Sequence, residues 1–202
     1  GALVNGTVTS TGGNINITGY GGTGVQYDNG VDIAGSVIAV GSGAINITGT
    51  AGAGGSGGNV GVSTSGSGTI SSVDGAIAIT GTGGIGNGSQ IRDHGVVIGG
   101  TNAIKSTGTG NITVTGTVTN NDNGFSRGVE INSGGLNTNS GNIKVDATAL
   151  LNYQVAAYIN APITSTSGNV YIRSAGANIQ NTTTGTISGY NISIDNTGGT
   201  ID

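Results

Sequence analysis

Cysteine, methionine and tryptophan are missing from this 202-residue chain. Without cysteine there is no disulfide and no thiolate metal site. Proline occurs once, at Pro162. With no three-residue glycine period either, a collagen-type triple helix is excluded. Lys and Arg number 5, Asp and Glu 9 and His 1, for a net charge of −4. So few cations make no dense basic face for nucleic acid or for an anionic membrane surface. No apolar run approaches the length of a membrane-spanning helix, so membrane insertion is not expected. Glu, Lys, Leu and Met are scarce, which removes most of the strong helix formers.

Glycine, by contrast, fills 44 positions. The chain is still no flexible linker, because Ile, Val and Ala recur between the glycines in register. Thr, Asn, Ile and Val suit strands broken by turns.

One phrase, Gly-x-Ile-x-Ile, recurs along the whole chain. It reads Gly13-Asn14-Ile15-Asn16-Ile17, Gly43-Ala44-Ile45-Asn46-Ile47 and Gly75-Ala76-Ile77-Ala78-Ile79. It returns as Gly110-Asn111-Ile112-Thr113-Val114, Gly141-Asn142-Ile143-Lys144-Val145 and Gly168-Asn169-Val170-Tyr171-Ile172, with a worn copy at Asn191-Ile192-Ser193-Ile194. The first apolar residues are separated by 30, 32, 35, 31, 27 and 22 positions. A strand repeated at such a period is the mark of a β-solenoid. Alternation sends Ile15 and Ile17 inward and Asn14, Asn16 and Thr18 outward.

A second strand follows most copies: Val31–Ile33, Val96–Ile98, Val129–Ile131 and, more loosely, Ala156–Ile159. A third apolar anchor precedes the next copy, at Ile38, Ile70, Ile104, Leu136, Ile163 and Ile187. The expected fold is therefore all-β: a triangular, right-handed parallel β-helix of about seven coils, since parallel crossovers are right-handed in about 98% of cases. Residues 1–202 form a single solenoid segment, expected to be an excerpt or protomer of a longer fibre. Coil length varies mainly between the first and second strands. A solenoid with one variable loop face has this pattern.

The repeated Gly-Asn-Ile-x-Ile-x-Gly blocks with Ser, Thr and Asn turns resemble the β-strand repeats of filamentous-haemagglutinin-type bacterial exoproteins. Those are large surface adhesins, often exported by two-partner secretion. The Asn-Pro-Asn motifs of that family's secretion domain are absent, so the resemblance is to shaft. It implies an extracellular or cell-surface adhesin or fibre segment and no enzymatic role.

Other chemistry fits poorly. Gly81-Thr82-Gly83-Gly84-Ile85-Gly86 matches a dinucleotide fingerprint, but no helical pattern follows to hold a pyrophosphate. No cofactor is expected. Calcium-binding nonapeptides require Asp where Gln26 stands, and no metal site is expected. Catalytic residues are not expected either. Asp28 and Asp93 fall in one column but two coils apart, near 10 Å by the strand spacing, and no cluster of Arg and Lys stands beside acidic ligands.

One corner gathers much of the scarce charge and aromatic content. Aligned on the second strands, Tyr27, Arg92, Phe125 and Tyr153 share a column. Asp28, Asp93, Ser126 and Gln154 share the next, and Asn29, His94, Arg127 and Val155 the one after. Rings with polar neighbours suit a sugar or protein contact. The candidate surface contacts are thus Tyr27, Asp28, Arg92, Asp93, His94, Phe125, Arg127 and Tyr153. Expected partners are a second copy of the chain, stacked end to end through the open β-helix edges, or a glycan or protein on a host or neighbouring cell. A carbohydrate-binding or carbohydrate-active β-helix is the remaining alternative.

Overall fold

Each copy of the repeated phrase becomes a six-residue strand. In Ile45–Thr50 the residues Ile45, Ile47 and Gly49 are buried, while Asn46 and Thr48 face out. That is the period of two that a pleated strand with one buried face imposes. The computed structural model describes residues 1–24, 27–54, 58–86, 92–101, 103–119, 125–150 and 155–202.

Among these residues the strands form three sheets of seven, and every pairing between them is parallel. The spine sheet holds Ile15–Tyr20, Ile45–Thr50, Ile77–Thr82, Ile112–Thr117, Ile143–Thr148, Val170–Ala175 and Ile192–Thr197. The second sheet holds Ala2–Val4, Val31–Ile33, Val62–Thr64, Val96–Ile98, Val129–Ile131, Val155–Ile159 and Asn178–Asn181. The third holds Thr7–Ser10, Ser36–Ala39, Ile70–Ser72, Ile104–Ser106, Leu136–Thr138, Ile163–Ser165 and Ile187–Ser188. The chain visits the sheets in turn, so it is a parallel β-solenoid with no helix among the described residues.

Residues that recur in sequence stack in space. Ile45 pairs with Ile77, Ile77 with Ile112 and Ile112 with Ile143. The core is a set of such columns. Ile77, Ile79, Ile112 and Val114 from the spine meet Val96 and Ile98 from the second sheet and Ile70 and Ile104 from the third, all fully buried. β-branched side chains dominate because their single favoured rotamer suits a pleated, stacked surface.

Two expectations about strands need correction. The third anchor of the coil containing Ser36–Ala39 is Val37, not Ile38: Val37 is fully buried and pairs with Ile70. Adjacent apolar residues there hide the phase of the alternation. Val62–Thr64 is also a full member of the second sheet, although it lacks the Val-x-Ile pattern. Thr64 takes the inward place of an isoleucine, and its hydroxyl accepts from the Gly99 N–H at 3.1 Å.

Polar side chains hold the corners. Thr138 and Ser165, buried at the end of their third-sheet strands, accept from the N–H of Gly141 (3.1 Å) and Gly168 (2.9 Å). A hydroxyl bonding three residues ahead closes a tight turn. Outward asparagines tie coil to coil: Asn111 Oδ1 accepts from the Asn142 N–H at 2.7 Å, and Asn142 Oδ1 from the Asn169 N–H at 2.9 Å.

Candidate functional site

The corner lies where the chain approaches the second sheet. Two residues before each second-strand glycine (Gly30, Gly61, Gly95 and Gly128) stand Asp28, Asn59, Asp93 and Ser126. These form one hydrogen-bonded ladder. Asn59 Oδ1 accepts from the Asp28 N–H (3.0 Å), Asp93 Oδ1 from the Asn59 N–H (2.9 Å), and Ser126 Oγ from the Asp93 N–H (3.0 Å). The other Asp93 oxygen accepts from the Gly86 N–H at 2.6 Å. A carboxylate that takes backbone N–H groups on both oxygens is a staple between loops. Asp93 is fully buried, so it is placed as a structural residue and not as a surface contact. Asn59 stands between Asp28 and Asp93, which keeps those carboxylates two coils apart.

The adjoining column behaves the same way at first. Asn29 Oδ1 accepts from the Val60 N–H at 2.9 Å, and His94 Nδ1 from the Arg127 N–H at 2.9 Å. With Nδ1 used as an acceptor, the neutral imidazole carries its proton on Nε2. Nε2 faces Glu130 Oε2 at 3.5 Å. Glu130, the chain's single glutamate, lies at the outward position of Val129–Ile131 yet is buried. Arg127 covers it: Nη1 donates to Glu130 Oε2 at 2.6 Å, and the guanidinium lies 3.7 Å from the centre of the Tyr158 ring. Asn132 Nδ2 donates to the other Glu130 oxygen. Tyr158 is in register with Glu130 on the next strand, which sets the stack of ring, guanidinium and carboxylate.

Burial outweighs the Glu130 charge at His94. Desolvation lowers the imidazole pKa to about 4, the nearby carboxylate opposes this, and Arg127 and Arg92 reinforce it. The ring is therefore neutral in the folded protein at neutral pH, whereas in the unfolded chain it protonates near 6.5. A histidine whose folded pKa is depressed contributes stability above the unfolded value. That contribution is lost as pH falls from about 6.5 to about 4, on the order of 3 kcal/mol across the window. Denaturant titrations at stepped pH are expected to show this loss in the parent chain. A His94→Gln variant is expected to be nearly flat between pH 6.5 and 4.5; an unchanged slope would refute the assignment.

The outer members of the corner are open. Tyr27, Arg92 and Phe125 are exposed. Tyr27 takes a left-handed backbone, φ 58°, and its ring covers the Gly58 backbone. Tyr153 lies outside the described residues. Arg92, His94, Phe125, Arg127 and Glu130 together line a cavity of about 60 Å³. The structure thus brings four of the expected contacts to one place (Arg92, His94, Phe125 and Arg127) and uses Asp28 and Asp93 in the neighbouring ladder.

Glu130, Tyr158 and Asn132 complete the cluster, and sequence reasoning did not select them. A sole glutamate three residues after an arginine, on a strand face otherwise uncharged in neighbouring coils, was the available signal. Asn59 could have been found by its offset from Gly61.

A larger concavity of about 370 Å³ lies on the outer face of the spine, lined by Lys144, Tyr171, Ile172, Arg173, Ser193 and Asp195. Its cations already have an acidic neighbour: Lys144 Nζ is 2.7 Å and Arg173 Nε 3.9 Å from Asp146. The smaller corner cavity holds Arg92, whose guanidinium has no acidic partner among the described residues, and is the stronger candidate.

No family model, no curated protein and no solved structure matches this chain. The corner's chemistry therefore has to be read from its own residues.

Proposed function

We propose that this chain is a non-catalytic structural module, a right-handed, seven-coil shaft segment of a secreted bacterial surface adhesin or extracellular fibre of the filamentous-haemagglutinin type. One observation carries the reading: the three sheets stay parallel from the first strand to the last, with a single register shift at Val155/Ala157 in the second. In such a stack each coil satisfies its backbone bonds and buries its Ile and Val through its neighbours. Length is then gained by adding coils, which is what a shaft requires. The outward Asn and Thr of the spine support the reading, since they offer polar surface without dense charge. Immunogold microscopy on intact cells of the encoding bacterium, with antibodies to this segment, tests it. Label on the outer surface or on fibres is expected; label confined to the cytoplasm overturns the proposal.

A second reading is a protomer of an end-to-end filament. The inward-facing Ile192 and Ile194 of the last spine strand are 47% and 38% exposed. The equivalent Ile143 and Val145 are fully covered by the strand above them. A second copy seated on that end would bury them and continue all three sheets, a head-to-tail contact that does not close. Sedimentation velocity on the isolated chain is expected to show concentration-dependent polymers, abolished by Ile194→Lys. A monodisperse 19.3 kDa species refutes this reading and leaves the shaft reading standing.

A further inference from the structure

We propose that the corner cavity binds the carboxylate of an acidic saccharide, with Arg92 as the anion-binding group and Phe125 as the platform for the sugar ring. The inference goes beyond the shaft reading and does not depend on it.

Charge is the first reason. Among the described lining residues, Arg92 and Arg127 are cationic, Glu130 is anionic, and Phe125 and the neutral His94 contribute nothing. These described residues carry a net charge of +1 on a chain of net −4. Glu130 does not compete for Arg92, because its oxygens are taken by Arg127 and Asn132 and faced by His94. No ion pair among the described residues involves Arg92. Among the described lining residues, the exposed Arg92 guanidinium beside a neutralised pair is the uncommitted charge. Its planar fork fits a carboxylate with two parallel hydrogen bonds.

Size and shape give the second reason. A single water needs about 10–15 Å³ of such a cavity, so about 60 Å³ admits a carboxylate group but not a sugar ring. The ring must stay outside, at the mouth. Phe125 is there, 62% exposed, and an aromatic face against the apolar face of a pyranose removes both from water. An acid without a ring would use only half of this site.

The inner wall of the site is held in place. His94 is held through Nδ1 just before Val96–Ile98, and Arg127, just before Val129–Ile131, is clamped between Glu130 and the Tyr158 ring. Such pre-organisation reduces the ordering cost of binding.

The single histidine is a built-in reporter, since one imidazole gives one unambiguous set of NMR signals and it borders the cavity. The experiment is a titration of the 202-residue chain with glucuronate, glucose and acetate at constant ionic strength. Glucuronate is expected to shift the His94 ring signals saturably. Acetate is expected to do so about tenfold more weakly, and glucose not at all. Arg92→Gln, an exposed position, is expected to weaken glucuronate at least about tenfold. Lys105→Gln, which removes the same charge from an exposed site on the third sheet, is expected to leave it unchanged. No saturable glucuronate shift, or an equal loss in both variants, overturns the site. Acetate binding as tightly as glucuronate overturns the saccharide.

Discussion

Replacing Arg127 by alanine is expected to cost this solenoid about 3 kcal/mol. The loss follows from what is left behind. Glu130 is buried, and its Oε2 would lose the guanidinium that reaches it at 2.6 Å. His94 is a poor replacement, because burial disfavours a charge on its ring. The guanidinium's contact with Tyr158 would go as well, a further ~0.5–1 kcal/mol. Most of the cost is desolvated charge without a partner, so it is reversible by a second change. Arg127→Ala combined with Glu130→Gln is expected to recover more than half of the lost stability in urea unfolding. Arg127→Lys is expected to fall between, since an ammonium keeps the charge but not the planar stack. If the double variant is as unstable as the single one, the ion pair is not what the arginine supplies.

Gly81→Ala is expected to be about as damaging, near 3 kcal/mol, for a steric reason. Gly81 sits at the fifth, inward position of its spine strand, in register with Gly49 and Gly116. A Cβ there would lie 2.0 Å from the Gly95 carbonyl oxygen and 2.7 Å from Val96. Val96 begins a strand of the second sheet and Gly95 leads into it, so that backbone passes close under the spine at this point. A backbone atom cannot swing aside as a long side chain can, so the coil itself would have to move. The column offers its own control. One strand further on, Ala147 is in register with Gly116, beside the strand in which Ala156 interrupts the regular pairing. Ala147→Gly is expected to cost only about 1 kcal/mol. Equal effects of Gly81→Ala and Ala147→Gly on the thermal midpoint would contradict the close-approach account.

Much of this architecture was readable from the chain because its signal is repetition with a period-2 interior. Ile15, Ile45, Ile77 and Ile112 align by eye, and alignment in sequence is pairing in space. The reading weakened where a strand was too short to show its phase. Val37 and Ile38 sit side by side, and only three-dimensional packing decides between them. It also weakened where chemistry replaced shape. Thr64 fills an isoleucine position by bonding its hydroxyl to the Gly99 backbone, which no hydropathy pattern signals. The corner was legible as a place but not as a mechanism. The alignment gathered Arg92, His94, Phe125 and Arg127, yet it could not show that Asp93 turns inward to bind backbone. Nor could it show that Glu130, outward by alternation, is roofed over by a side chain three residues earlier. Those outcomes depend on side-chain direction, which a register of Cα positions does not carry.

The corner cluster spans coil boundaries, and that changes how the rod opens. A solenoid held only by neighbouring-coil contacts behaves as a one-dimensional stack that frays from either end. Here the Asp28–Asn59–Asp93–Ser126 ladder joins successive coils, and Arg127 and Glu130 reach from His94 before one strand to Tyr158 on a later one. Fraying that arrives at this stretch must break several coupled polar contacts in a single event. The strand amides of Val96–Ile98, Val129–Ile131 and Val155–Ile159 are therefore expected to exchange with deuterium as one opening unit. Fast-exchanging ends would flank a slow and nearly uniform middle, and not a smooth gradient along the axis.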